Sequence, residues 1–421
     1  PVAYFAGGIG EVCRFTYHGA AYQRGNRVIL PVSKRMAAVK PSPTGAVLAL
    51  AAELRAAGRD IVSLGAGEPD FDTPPHIQDA AIEAIRSGQT RYTPTDGTAE
   101  LKTAIQGKFA RENQLDYELS QIVVTCGAKQ ALFNLCLGLL GPGDEAIIPA
   151  PYWVSYPDMV RLAEADPIMI EAGIEQDFKI TPEQLEAAIS ENTRLLILNS
   201  PSNPTGASYT RKELQKLGAV LERHPAIVIL SDDIYEHIHW AAEPFTSFAT
   251  ACPALRDRTV TTNGVSKAYA MTGWRIGYAA GPQELITAMT TIQSQSTTNP
   301  CSVSQAAAVA ALNGDQGCVR DMTAAYKERH DYIVDAINQF DGIECRPGEG
   351  TFYAFARIED LLTERGMASD VEFVELLLNK ADLACVPGSA FGAPGHVRLS
   401  FACSMEMLEE SVRRINRALM A

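Results

Sequence analysis

A lysine and an arginine eight residues apart carry the most chemistry. They sit in Asn263-Gly-Val-Ser-Lys267-Ala-Tyr-Ala-Met-Thr-Gly-Trp-Arg275-Ile-Gly277, a loop of small residues that follows an apolar strand pattern. A lysine delivered there can condense with an aldehyde cofactor, and loss of solvent makes its amine a better nucleophile and base. The planar fork of the arginine suits a bidentate phosphate contact, and the flanking glycines let backbone come close. A loop lysine taken alone is ordinarily a solvated surface charge. The run around this one argues against that.

Further motifs offer partners for such a cofactor. Asn199-Ser-Pro-Ser-Asn203-Pro204-Thr205-Gly206 follows an apolar strand pattern. It is a turn by composition, but an amide at the carboxyl end of a parallel strand could donate to a phenolate oxygen. Ile229-Leu-Ser-Asp232-Asp233-Ile-Tyr235 ends an apolar strand on carboxylates, with a tyrosine next but one. A buried carboxylate needs a partner, and a protonated pyridine nitrogen would be one. A helix cap followed by a core tyrosine explains the same fragment equally well, and spacing does not say whether Asp232 or Asp233 points inward. Gly127-Ala128-Lys129-Gln130 joins a strand to a helix, where freed backbone N–H groups grip phosphate. Tyr92, in Arg91-Tyr-Thr-Pro-Thr-Asp-Gly97, reads as an exposed turn. Gly65-Ala-Gly67-Glu68-Pro69-Asp70 lacks the third glycine of a dinucleotide loop and runs into Pro74-Pro75, so that reading fails. In Gly395-His-Val-Arg398-Leu-Ser-Phe an arginine flanked by apolar residues suits a buried carboxylate clamp.

The elements that must position these residues follow from periodicity. Val47, Leu48, Leu50, Ala51 and Leu54 predict a helix from about residue 45 to Gly58. Strands are predicted at Ile122–Cys126, Glu145–Pro149, Arg194–Asn199, Ala226–Ser231, Thr259–Asn263 and Ile276–Ala280. Helices are predicted at Ile77–Ser87, Ala99–Arg111, Lys129–Leu140, Pro182–Ser190 and Lys212–Glu222. Continuous apolar strands alternating with helices indicate an α/β fold with a mostly parallel sheet covered on both faces. Beyond about Asp315 long helices and short strands (Phe352–Ala356, Val397–Phe401) indicate a smaller α+β domain. Residues 1–29 show no sustained period and read as an N-terminal extension, disordered or non-native. Residues 30–74 read as an arm and part of the small domain, 75–312 as the large domain and 313–421 as the rest of the small one.

The 421 residues suffice for more than one domain, and 46% apolar with 20% charged is ordinary globular composition. A net charge of −14 argues against nucleic acid and anionic membranes as partners. The nine cysteines form no C-x-x-C pair and, being odd in number, no disulfide framework. Lying mostly in apolar runs, they read as buried thiols of a reducing, cytoplasmic setting. No metal is expected at the site.

Together these motifs resemble the class I aminotransferases of the aspartate aminotransferase family, which are fold type I enzymes of pyridoxal 5′-phosphate (PLP). The resemblance runs from about Val32 to the C-terminus and is similar in detail to the bacterial aspartate/prephenate branch, through Ala150-Pro-Tyr-Trp153 and Ser294-Gln-Ser-Thr-Thr298. It implies a seven-stranded sheet in the large domain. It implies that Lys267 is the Schiff-base lysine and proton shuttle, that Asp232 pairs with the pyridine nitrogen, and that Asn203 and Tyr235 bond the ring oxygen. Trp153 would stack on the ring. Gly127, Ala128, Lys129, Ser266 and Arg275 would surround the phosphate, with Tyr92 reaching in from the other subunit of a homodimer. Arg398 would hold the substrate α-carboxylate beside Gly67 and Asn203, and Lys40 a second carboxylate. One departure stands out: where some members carry a phosphate-binding hydroxyl residue, this chain has Gly264.

The activity implied is transamination between an L-amino acid, aspartate or glutamate, and a 2-oxo acid by a ping-pong mechanism. Prephenate or aromatic substrates, or a PLP lyase on the same scaffold, are the alternatives. A transcription regulator would need a DNA-binding domain for which residues 1–29 are too short, and a plain binding protein leaves Lys267 and Arg275 unexplained.

Overall fold

The computed structural model describes residues 32–420 apart from Lys40 and Ser42, so the reading of residues 1–29 and the assignment of Lys40 lie outside the described residues. In chain order the strands are β1 (Val62–Ser63), β2 (Ile122–Thr125), β3 (Glu145–Ala150), β4 (Asp166–Glu171), β5 (Thr193–Asn199), β6 (Val228–Asp232), β7 (Thr259–Gly264) and β8 (Gly277–Ala280). There follow β9 (Glu344–Cys345), β10 (Tyr353–Arg357), β11 (Leu383–Ala384), β12 (Val386–Pro387) and β13 (His396–Ser400).

Seven strands form one sheet in the order β2-β8-β7-β6-β5-β3-β4. Only β8 runs against its neighbours, so β2, β7, β6 and β5 all bring their carboxyl ends to one edge. Burial on both faces explains the unbroken apolar runs. Along β5, Leu195 and Ile197 enter one core while Leu196 and Leu198 enter the other. The strand the sequence hides is β4, Asp-Pro-Ile-Met-Ile-Glu. It pairs only with β3 at the sheet edge, so its charges and proline are tolerated.

The smaller α+β part is built from both ends of the chain. Strands β12, β13, β10 and β9 form a sheet, and β1 pairs with β11 through Val62–Leu383 and Ser63–Ala384. The 21-residue helix Gly317–Ile337 packs beside it. Among the described residues no helix is long and apolar enough to cross a membrane. All described cysteines are free; Cys136, Cys252, Cys345, Cys385 and Cys403 are buried, whereas Cys301 is exposed, against the buried reading.

The helix expected over Ala99–Arg111 departs from its plan. It is α-helical to Lys108 and then widens into a π-helical turn, Phe109–Asn113, closed by left-handed Gln114. The physical reason is polar. Lys108 is wholly buried and ion-paired to Glu236, and it donates to Asn113 Oδ1 at 2.7 Å. Asn113 Nδ2 donates to Glu236 at 2.8 Å, as does Asn263 Nδ2 at 2.7 Å. Burial pushes the Glu236 carboxyl up, but Lys108 and His237 hold it below the usual range. The network ties this helix to the residue after Tyr235 and to the end of β7, four residues before Lys267.

Removing one partner of a buried ion pair leaves an uncompensated charge. Glu236→Leu is therefore expected to cost about 3–5 kcal/mol, measured as a lower thermal midpoint. Combining it with Lys108→Met should restore part of that loss; a single variant as stable as the parent would contradict this account.

Candidate active site

At the carboxyl edge of β2, β5, β6 and β7 lies a cavity of about 450 Å³. Ligands of α/β sheets bind outside such an edge. Lys267 reaches it three residues beyond β7, half-buried, with Nζ donating to the Gly67 carbonyl. Desolvation lowers its pKa to about 8; Glu68 opposes the shift, while Arg398 and Arg275 add to it.

The loop after Lys267 turns back by placing Ala270 and Arg275 in the left-handed region, at φ 51° and 56°. Arg275 is pinned by donating to the carbonyls of Thr272 (2.8 Å) and Cys126 (3.4 Å). Its guanidinium lies so close to Gly127 that a Cβ there would be 2.2 Å from Nη2. A Cβ on Gly277 would stand 2.1 Å from Ala128 N. Glycine at both positions lets the arginine and the start of the helix Ala128–Leu139 converge. Ser266, Ala128 and Lys129 line the same end, and Lys129 Nζ sits 4.7 Å from the Trp153 ring. Burial, then Arg275, lowers the Lys129 pKa. Two cations at a helix N-terminus form a receptor for a phosphate-like anion. A side chain at Gly264 would be tightly placed, since a Cβ would lie 3.0 Å from Gly277 Cα and from Ile276 O.

The choice between the two adjacent acids is decided by strand alternation. Asp232 ends β6 facing the cavity, accepting from Tyr156 OH (2.7 Å) and Ile234 N (3.3 Å). Asp233 points to the other side and accepts from Ser231 at 2.6 Å. Burial pushes Asp232 up to about 6, held there by Tyr156, and Asp233 up to about 7.

Arg398, on β13, is 2% exposed. It donates to Asn203 Oδ1 and to Gly65 O, each at 2.9 Å, and lies between the rings of Tyr353 (4.3 Å) and Phe391 (4.8 Å). Its Nε is buried without a hydrogen-bond partner. Asn203 itself is held by its backbone N donating to Asn199 Oδ1 at 2.9 Å.

The structure thus brings Gly67, Ala128, Lys129, Trp153, Asn203, Asp232, Tyr235, Ser266, Lys267, Arg275 and Arg398 to one cavity, with Gly127 packed beneath Arg275. Tyr92 is not among them: it is 93% exposed on the surface. Sequence reasoning missed Tyr156, Asn199 and Tyr353. Tyr156 looks like a core aromatic at a helix start, and only its hydroxyl contact with Asp232 distinguishes it.

The family model for aminotransferase class I and II matches residues 59–415. The chain belongs to this family. An aspartate/prephenate aminotransferase of Nitrosomonas europaea is 55% identical over 392 residues, covering 92% of this chain and 99% of that one. An aspartate aminotransferase of Geobacillus stearothermophilus is 49% identical, covering 93% and 100%. Among solved structures, the Rhizobium meliloti aspartate aminotransferase matches with a TM-score of 0.89 at 47% identity, covering 93% and 99%. The Thermus thermophilus aspartate aminotransferase with maleate matches at 0.87 and 42%, covering 93% and 100%. The chain is an aminotransferase, and its seven-stranded α/β architecture is theirs.

For this aminotransferase the buried amine has a direct consequence. In the cofactor-free protein, acylation of Lys267 followed by peptide mass should rise with pH and reach half its maximum near 8, as the lowered pKa requires. Surface lysines should follow only above about 10. Labelling of Lys267 in step with the surface lysines would contradict the burial argument.

Proposed function

We propose that the cavity binds PLP and transfers amino groups between a dicarboxylic L-amino acid, aspartate or glutamate, and 2-oxoglutarate or oxaloacetate. The observation that carries the reading is the position of Lys267. It is a largely desolvated amine between a phosphate-type receptor at Arg275 and Lys129 and the Arg398 guanidinium. The donor set suits the cofactor: cations and a helix start for phosphate, a buried acid for a pyridinium, hydroxyl and amide donors for a phenolate, and an indole for the ring face.

PLP supplies an aldehyde for the amino group and a ring that accepts electrons from the substrate Cα. Asp232 keeps the ring nitrogen protonated, and its own burial with Tyr156 favours that pairing over water. Asn203 and Tyr235 would donate to the ring oxygen, and Trp153 would cover the ring. Arg398 fixes the α-carboxylate, with Gly67 and Asn203 shaping its bed. Lys267 Nζ, whose pKa lowered to about 8 leaves a neutral fraction available as a base, would take the Cα proton and deliver it to the cofactor side. Water would supply the carbonyl oxygen as the first 2-oxo acid is released, the amino group staying behind until a second 2-oxo acid takes it up in reverse order.

Arg275 and Lys129 being assigned to phosphate and Arg398 to the α-carboxylate, the dicarboxylate reading is supported by the relatives. A solved relative is described with maleate, and a relative is named for both aspartate and prephenate, which also carries two carboxylates. Lys40 is assigned to the second carboxylate on the sequence alone. Tyr92, exposed on its own subunit, is assigned to the phosphate of a partner's site in a homodimer. The free cysteines fit a cytoplasmic setting.

The purified protein should show a visible absorption band that L-aspartate converts to a near-ultraviolet one. A protein that stays colourless with added PLP would overturn the reading. Arg398→Gln should raise the KM for aspartate roughly 100-fold, the worth of a charge-assisted contact of about 3 kcal/mol. Mixing refolded Lys267→Ala and Tyr92→Ala subunits should regenerate activity absent from either alone, because the mixed dimer holds one intact site. No recovery would remove Tyr92 from the partner's site.

A further inference from the structure

Tyr353 belongs to no motif read from the sequence, yet it touches both halves of the site. It opens β10, is 1% exposed and lines the cavity. In the antiparallel pairing of β10 with β13, Tyr353 opposes Ser400 and Phe355 opposes Arg398. Tyr353 and Arg398 are therefore diagonal neighbours on one face, within reach for long side chains. The guanidinium lies 4.3 Å from the Tyr353 ring centre. At the other end of the same side chain, the hydroxyl meets Tyr235 OH at 3.0 Å. Space for that hydroxyl depends on glycine: a Cβ on Gly67 would come within 3.1 Å of it. Gly67 in turn offers its carbonyl to Lys267 Nζ. The approach to Tyr353 is held in shape by Thr351, at φ 67°, whose hydroxyl accepts from Tyr353 N at 3.3 Å.

We propose that Tyr353 is a positioning residue that links the carboxylate clamp to the cofactor's ring-oxygen tyrosine, its ring seating Arg398 and its hydroxyl orienting Tyr235. The proposal rests on the PLP reading above. A phenol has one proton. If Tyr235 donates its proton to the ring oxygen, the hydrogen bond between the two tyrosines is donated by Tyr353. That bond stops rotation of the Tyr235 hydroxyl and makes it a stronger donor, since linked hydrogen bonds polarise one another. The ring face separately fixes the plane of Arg398, which must meet the substrate carboxylate.

The two functions separate by substitution. Tyr353→Phe keeps the ring and removes the hydroxyl; Tyr353→Leu removes both. In the holoenzyme without substrate, a spectrophotometric pH titration reads the bound chromophore. A weaker donor at the ring oxygen favours the protonated chromophore, so Tyr353→Phe should raise its apparent pKa by about half a unit. Maleate affinity, read from the same spectrum, should be unchanged. Tyr353→Leu should show the same rise and bind maleate about tenfold more weakly. In a Tyr235→Phe background, Tyr353→Phe should give no further shift. A Tyr353→Phe holoenzyme that titrates like the parent, or one whose shift persists without the Tyr235 hydroxyl, would overturn the link. Should Tyr353→Leu fail to fold, the Phe variant and its double decide the question. A parent that takes up no PLP would instead overturn the cofactor reading.

Discussion

The structure is organised around like charges gathered at one cavity. Lys129, Lys267, Arg275 and Arg398 share one cavity with only two carboxylates, in a chain whose net charge is −14. A lysine can relieve burial and repulsion by giving up its proton, and burial first, then Arg398 and Arg275, moves Lys267 down to about 8 against the pull of Glu68. Arginine has no such exit, so each guanidinium needs fixed dipoles. Arg398 finds them at Asn203 and Gly65, and Arg275 at Thr272 and Cys126. Backbone must therefore come close, which explains glycine at 127 against Arg275 and at 277 against the helix start at Ala128. The remaining positive field is what a phosphate and a carboxylate would neutralise.

The sheet makes this arrangement rigid. Its parallel strands end together, and both faces are buried, so side chains at the edge are held by packed cores on either side. Asp232 and Asp233 show how finely that edge sorts chemistry. One residue of strand register sends the first acid to the cavity and Tyr156, and the second to Ser231 on the other side. On that side the buried Lys108–Glu236 network joins the Tyr235 turn to the end of β7, and so braces the segments that carry the reactive groups without reaching the cavity. The smaller α+β part closes the site from above, bringing Arg398 and Tyr353 across from β13 and β10.

Much of this was legible in the chain. Strands buried on both faces write themselves as apolar runs, and β2, β3, β5, β6, β7 and β8 were found within two residues at each end. The edge strand β4 was not, because one exposed face removes the apolar signal. The end of the helix at Lys108 was not either. Its π-helical turn answers to Glu236 and Asn263, which lie far away along the chain.

What the sequence determined by itself was the inventory of reactive residues and their order: a lysine after a strand, an arginine among glycines, an acid ending an apolar run. Local spacing encodes those, since each is set by the strand or loop that carries it. Tertiary structure alone decided which acid faces inward, that Tyr156 supports Asp232, and that Tyr353 lies between Arg398 and Tyr235. Those facts depend on strand register and on contacts between segments far apart along the chain, as the Tyr156–Asp232 separation of 76 shows. A side chain's partner across such a distance is chosen by packing, and packing has no period along the chain.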